Sequence, residues 1–168
     1  MKGFIVRNIN TLAQQPALLR ESREERDNLT KMNSLLVEII KKELGNGWDT
    51  VISDLTSIAK TDQNICLNNL KILKILSEEI FDFSKDSMTS TRIASLKAKF
   101  TDEFKQIYLL CDSVIKTYLS DNKAVSKNLI ISCLQTLHAF LSWMPLYYIF
   151  MTDLIDVILI GLMETTEF

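Results

Sequence analysis

An all-α fold follows from three features of these 168 residues. Turn-forming residues are scarce: four glycines and two prolines in the whole chain. A β-sandwich or barrel of this length would draw on many more for its turns. Apolar residues recur at gaps of three and four along most of the sequence, the period of one helix face. The breaks between those stretches are short and carry capping or turn residues. The chain reads as about seven antiparallel helices in one domain.

The first predicted helix covers 2–15. The second covers 23–44, where Ser22 followed by Glu25 has capping-box spacing. Met32, Leu35, Leu36, Ile39, Ile40 and Leu44 mark its apolar face. Gly45-Asn46-Gly47 ends it, glycine supplying the left-handed cap. A third helix covers 48–60. Thr61-Asp62 offers the N-cap of a fourth, 63–83, with Ile65, Cys66, Leu70, Leu73, Leu76, Ile80 and Phe83 on one face. Ser84 to Thr91 is a polar loop. The fifth helix, 90–120, has the clearest stripe: Ile93, Leu96, Phe100, Phe104, Ile107, Cys111, Val114 and Tyr118. Asp121-Asn122 makes a turn into a sixth helix, 124–143. Pro145 ends that helix and seeds the last, 146–163.

These segments read as pairs. Leu35 to Ile40 and Leu73 to Glu78 align weakly, 38 residues apart. A helix pair about every 40 residues marks an α–α superhelix of the HEAT or armadillo kind. A plain helical bundle is the rival reading. On the solenoid reading, 1–20 is the second helix of a truncated repeat. Residues 23–60 form a repeat, 63–120 a repeat with a long second helix, and 124–163 another. The 146–163 stretch is apolar nearly all round, with Thr152, Asp153 and Asp156 as its polar stripe. Two aspartates and no cation argue against a membrane span. An unpartnered first helix and an over-apolar last one point to part of a longer protein. That last helix is expected to leave an apolar surface through which the chain self-associates.

Charge and chemistry exclude several function classes. Nineteen Lys and Arg against 21 Asp and Glu give a net charge of −2, no footprint for nucleic acid. Cys66, Cys111 and Cys133 are far apart among apolar neighbours and read as free, buried thiols of a reducing compartment. His138 is the sole histidine, and no CxxC or HxxxH spacing occurs, so no metal site is expected. A pairing of His138 with one of the cysteines stays open. The glycines Gly3, Gly45, Gly47 and Gly161 form no phosphate-cradling loop. Glu78-Glu79 and Asp82 read as a solvated helix end. Arg20, Arg23 and Arg26 alternate with Glu21, Glu24, Glu25 and Asp27 at spacings that favour local pairs. No catalytic, cofactor or metal residue is predicted. What remains is protein recognition, either as part of a solenoid or as a free-standing helical scaffold or adaptor.

Several stretches, in order, resemble one family. Asn68-Asn69-Leu70-Lys71-Ile72-Leu73-Lys74-Ile75 followed by Leu76-Ser77-Glu78-Glu79-Ile80-Phe81-Asp82-Phe83-Ser84 is the strongest. Lys31 to Lys41, Trp48 to Leu55, Phe104 to Cys111 and Leu141 to Phe150 accompany it. Together they are similar to the amino-terminal repeats of the exportin-1 family, karyopherin-β receptors for leucine-rich nuclear export signals. The resemblance runs from about Lys31 to Phe150. The turn before the third helix departs from it: Glu43 to Trp48 has one tryptophan and no proline. The resemblance implies a protein that shuttles between nucleus and cytoplasm. Its inner helices, here 2–15, 48–60, 90–120 and 146–163, would contact Ran in its GTP state. Asp49 and Ser53 are the candidate Ran-facing residues. Cargo would bind central repeats outside this chain, and nucleoporins are further implied partners. Neither nucleic acid nor a membrane is.

Overall fold

The computed structural model describes residues 2–14, 23–44, 47–81, 89–121, 124–142, 144, 147–150, 152–156 and 158. Seven helices follow one another: α1 (Lys2–Gln14), α2 (Arg23–Glu43), α3 (Val51–Ala59), α4 (Gln63–Phe81), α5 (Ser90–Ser120), α6 (Lys127–Leu141) and the four-residue α7 (Tyr147–Phe150). No strand occurs among the described residues.

Capping side chains set three of the helix starts. Asp62 Oδ1 accepts the backbone N–H groups of Asn64 and Ile65 at 2.8 and 3.1 Å, as expected of an N-cap. Thr89 caps α5 by accepting from Arg92 N, and Ser126 caps α6 by accepting from Leu129 N. At the end of α2, Gly47 takes a positive φ of 132°, open to a residue without Cβ. Trp48 N there donates back to Glu43 O at 3.2 Å. The Ser22, Gly45-Asn46 and Pro145 signals lie outside the described residues.

Helices α2, α4 and α6 pack side by side in one row. Helix α3 lies beside α5 in a second row and leans on α4, while α5 leans on α6. The core between the rows is continuous from Val6 and Ile9 to Leu137, Phe140 and Leu154. Phe140 sits between Phe100 and Phe104, with ring centroids 5.9 and 5.8 Å away. At 1% exposure or less, these three rings dominate the α5–α6 contact.

Buried polar side chains stitch neighbouring helices together, within a row and between the rows. Asn69 Nδ2 on α4 donates to Leu55 O on α3 at 2.9 Å. On α6, the Thr136 hydroxyl donates to Ser132 O of its own helix at 2.7 Å, with Leu70 O of α4 3.1 Å away. Ser77 Oγ donates to Ala139 O at 3.1 Å. Lys41, only 8% exposed, sends its ammonium to Glu38 of α2 and Glu79 of α4.

Several expectations differ from the structure, among them the sixth helix, which runs Lys127–Leu141 rather than 124–143 because Ser126 caps it. Leu35 is 64% exposed, because α2 turns Asn33, Leu36, Val37, Ile40, Lys41 and Leu44 inward instead. Helix α3 begins at Val51 rather than near 48. Trp48 Nε1 and Thr50 Oγ1 both donate to Asp54 Oδ2, at 3.3 and 3.0 Å, and hold the preceding residues as a turn. The last helix is broken. α7 spans Tyr147–Phe150, and the backbone bends at Thr152 and Asp153 before a further helical turn at 154–155. Residues 159–168 lie outside the described part. Among the described residues, no helix is long and apolar enough to cross a membrane.

Candidate interaction surface

The residues singled out for recognition sit where α3 begins, against the middle of α5. Asp54 organises this corner. By holding the Trp48 indole and the Thr50 hydroxyl, it buries the ring to 8% exposure and leaves Asp49 directed outward. The Asp49 side chain is 59% exposed and forms an ion pair with Lys99 of α5. Ser53 is half-buried in the first turn of α3. The Thr56 hydroxyl donates to Ile52 O at 2.8 Å, with Ser53 O 3.2 Å away.

Helix α5 completes the strip. Thr56 Oγ1 lies 3.4 Å from Gln106 Oε1, and Gln106 Nε2 donates to Glu103 Oε2 at 2.5 Å. Lys99, Glu103 and Gln106 are spaced i, i+4, i+7, so one face of α5 carries all three. That spacing is legible in the sequence, but the residues they face on α3 are not. The Asp49–Lys99 pair joins residues 50 apart in the chain. Arg92, one turn into α5, reaches the carbonyls of Lys41, Lys42 and Leu44 at the end of α2, at 3.1, 3.4 and 2.5 Å.

The nucleophile and metal candidates are not brought together. His138 is exposed on α6, whereas Cys66, Cys111 and Cys133 are free and buried. Burial pushes the Cys66 thiol up to about 12. Cys111 is pushed well above the usual thiol value by its hydrogen bond with Cys133 and by burial. A thiol held protonated is a poor nucleophile. Glu79 is engaged by Lys41, and Glu78 pairs with Lys74 at 3.7 Å. Among the described residues, no group of three acidic, histidine or cysteine side chains could hold a metal ion. The α3–α5 strip offers alternating charges and amides on rigid helices, which suits contact with another protein.

Two rows of helices around one continuous core define a HEAT-type helical-repeat protein. The family model described as "Exportin 1-like protein" matches residues 28–168. The chain belongs to that family. It is 36% identical over 168 residues to exportin-1 of Drosophila melanogaster, matching all of this chain and 15% of that protein. It is 41% identical over 159 residues to protein EXPORTIN 1B of Arabidopsis thaliana, covering 95% of this chain and 14% of that protein. Exportin-1 of Dictyostelium discoideum is 40% identical over 149 residues, covering 89% of the chain and 13% of the relative. The chain therefore spans about one seventh of the length of these relatives.

Proposed function

We propose that this segment is a non-catalytic scaffold within a nuclear export receptor. That receptor carries leucine-rich-signal cargo out of the nucleus together with Ran-GTP and shuttles between nucleus and cytoplasm. The observation that carries the reading is the family match over residues 28–168. In this reading, 1–20 closes a preceding repeat, and 23–60, 63–120 and 124–163 are successive repeats. Helices α1, α3, α5 and α7 line the inner, Ran-contacting side. Cargo binds elsewhere in the receptor, nucleoporins are transient partners, and cargo and Ran-GTP each strengthen binding of the other.

Asp49 and Ser53 are the proposed Ran-facing positions. Exposure of Asp49 and its fixed setting beside Lys99 support this assignment. The test is Ran-GTP affinity of the complete receptor. Asp49→Lys is expected to weaken binding more than Glu24→Lys. The exchange Asp49→Lys with Lys99→Asp rebuilds the internal ion pair with its charges swapped. It should still bind poorly if Asp49 meets Ran. Recovery of affinity in the exchanged variant, or equal effects of the two single reversals, would remove the assignment.

A further inference from the structure

A cavity beside α1 holds an unanswered hydrogen-bond acceptor. Helix α1 packs on α2 and α4, whereas α3 packs on α4 and α5. The space left between α1 and α3 has a volume of about 610 Å³. Asn10 lines it, is 9% exposed, and its Oδ1 has no hydrogen-bond partner among the described residues. A buried acceptor without a donor is unfavourable and calls for an explanation in a native structure. Two further groups in the same lining carry related chemistry. Asp54 brings a carboxylate whose orientation is fixed by Trp48 and Thr50. Trp48 brings an indole, the best of the aromatic faces for a cation.

We propose that this cleft binds a cationic side chain, lysine or arginine, of a partner protein. The ammonium or guanidinium supplies the donor that Asn10 Oδ1 lacks, and its charge is matched by Asp54. An anion would meet an acceptor and a carboxylate. An aliphatic side chain would leave Asn10 unanswered. Arg7, exposed one turn before Asn10 in the same lining, opposes a cation and so gives the proposal a sign that can be checked. The proposal is independent of the export reading, since it rests on the cleft alone.

The test uses the 168-residue chain labelled for NMR, titrated with N-acetyl-lysine methylamide, N-acetyl-arginine methylamide and N-acetyl-norleucine methylamide. Saturable shifts of the Asn10 side-chain amide and the Trp48 indole are expected with the two cations only. Asn10→Leu should weaken cation binding about tenfold while raising Tm, because it removes an unanswered buried polar group. Arg7→Ser should strengthen binding of both cations. Equal shifts with norleucine, unchanged affinity in Asn10→Leu, or weaker binding in Arg7→Ser would each overturn the proposal. So would the absence of any shift with the cations, which would mean that water alone answers Asn10.

Discussion

Asn33 and Asn68 exchange two hydrogen bonds across the α2–α4 interface. Asn33 Nδ2 donates to Asn68 Oδ1 at 2.9 Å, and Asn68 Nδ2 donates to Asn33 Oδ1 at 3.2 Å. Both side chains are 3% exposed. The closed ring satisfies one donor and the acceptor of each amide where water cannot reach, and it admits one register of the two helices. Removing one partner leaves the other's groups buried and unpaired. Asn33→Leu or Asn68→Leu alone should cost about 1–3 kcal/mol in urea unfolding. The double Leu variant should cost less than the sum of the singles, because no orphan remains. Strictly additive losses would mean that the pair does not act as a unit.

Arg92 acts as a remote cap. Its guanidinium reaches the carbonyls of Lys41, Lys42 and Leu44 at the end of α2, where the last carbonyls of a helix run out of intrahelical donors. It also places a cation at the negative end of the helix dipole. Arg92→Ala should lower stability by about 1–2 kcal/mol and increase hydrogen exchange selectively in the last turn of α2. Arg92→Lys should recover only part of this, since an ammonium is more strongly hydrated than a guanidinium and gives up more on leaving water. Uniform exchange throughout the chain in Arg92→Ala would argue against a capping role.

Local features of the fold were legible in the sequence, and cross-helix features were not. The Asp62 cap and the α5 stripe follow from spacing alone: of the eight stripe residues Leu96, Phe100, Phe104, Ile107 and Cys111 are buried, and Ile93, Val114 and Tyr118 are half-buried. Helix α2 misled because Asn33, Val37 and Lys41 recur every four residues on its buried side. A polar residue on that face, paired with α4, looks like surface until α4 is in place. Leu110 and Ile115 were missed for a related reason. Helix α5 touches α3, α4 and α6, so it buries more than one stripe. At the candidate surface, Asp49 and Ser53 came from family resemblance, and Lys99 emerged only from helix packing. Nothing in local sequence fixes which side chain of α5 lies opposite residue 49.

Tyr108, Lys116 and Asp153 form a pH-dependent clasp at the bend after α7. Tyr108 OH donates to Asp153, and Lys116 Nζ donates to the same carboxylate at 2.7 Å. Burial, then the hydrogen bond to Asp153, pushes the Tyr108 phenol up to about 12 from 10.0. Lys116 and then Tyr108 hold Asp153 below its ordinary 3.8. A depressed carboxylate stabilises the fold at pH values above its unfolded value, and that contribution fades as pH falls below 3.8. A raised phenol stabilises below pH 10.0 and loses its contribution as pH approaches 12. Asp153→Asn should therefore be less stable than the parent at pH 7, with the gap closing below pH 3.8. Carbon-13 tyrosine titration, assigned with Tyr108→Phe, should show this phenol ionising near pH 12. Ionisation near 10.0 would dissolve the clasp.

The last prediction concerns the apolar surface around α7. The ring of Tyr148 is tied down: its hydroxyl donates to Thr101 O at 3.0 Å, and its ring meets Phe104 edge-on at 5.3 Å. Leu154 is buried and Ile158 packs against the core. Tyr147, Phe150 and Ile155 face outward instead, at 59, 73 and 38% exposure. Exposed large apolar side chains on one short segment promote association. Full burial of a large apolar side chain contributes about 1.5–3 kcal/mol, so three from each copy of a symmetric pair supply roughly 9–18 kcal/mol. Association itself costs about 4–15 kcal/mol, so about 4 kcal/mol remains at mid-range, a weak dimer with Kd on the order of a millimolar. Sedimentation of the chain at rising concentration should show that dimer. Tyr147→Ser with Phe150→Ser should abolish it with at most a small fall in Tm, because neither side chain is buried in the monomer and Tyr147 gives up one ring contact, edge-on with Tyr148 at 5.1 Å. A clean monomer at several hundred micromolar, or undiminished dimer in the double variant, would place the self-association surface elsewhere or remove it.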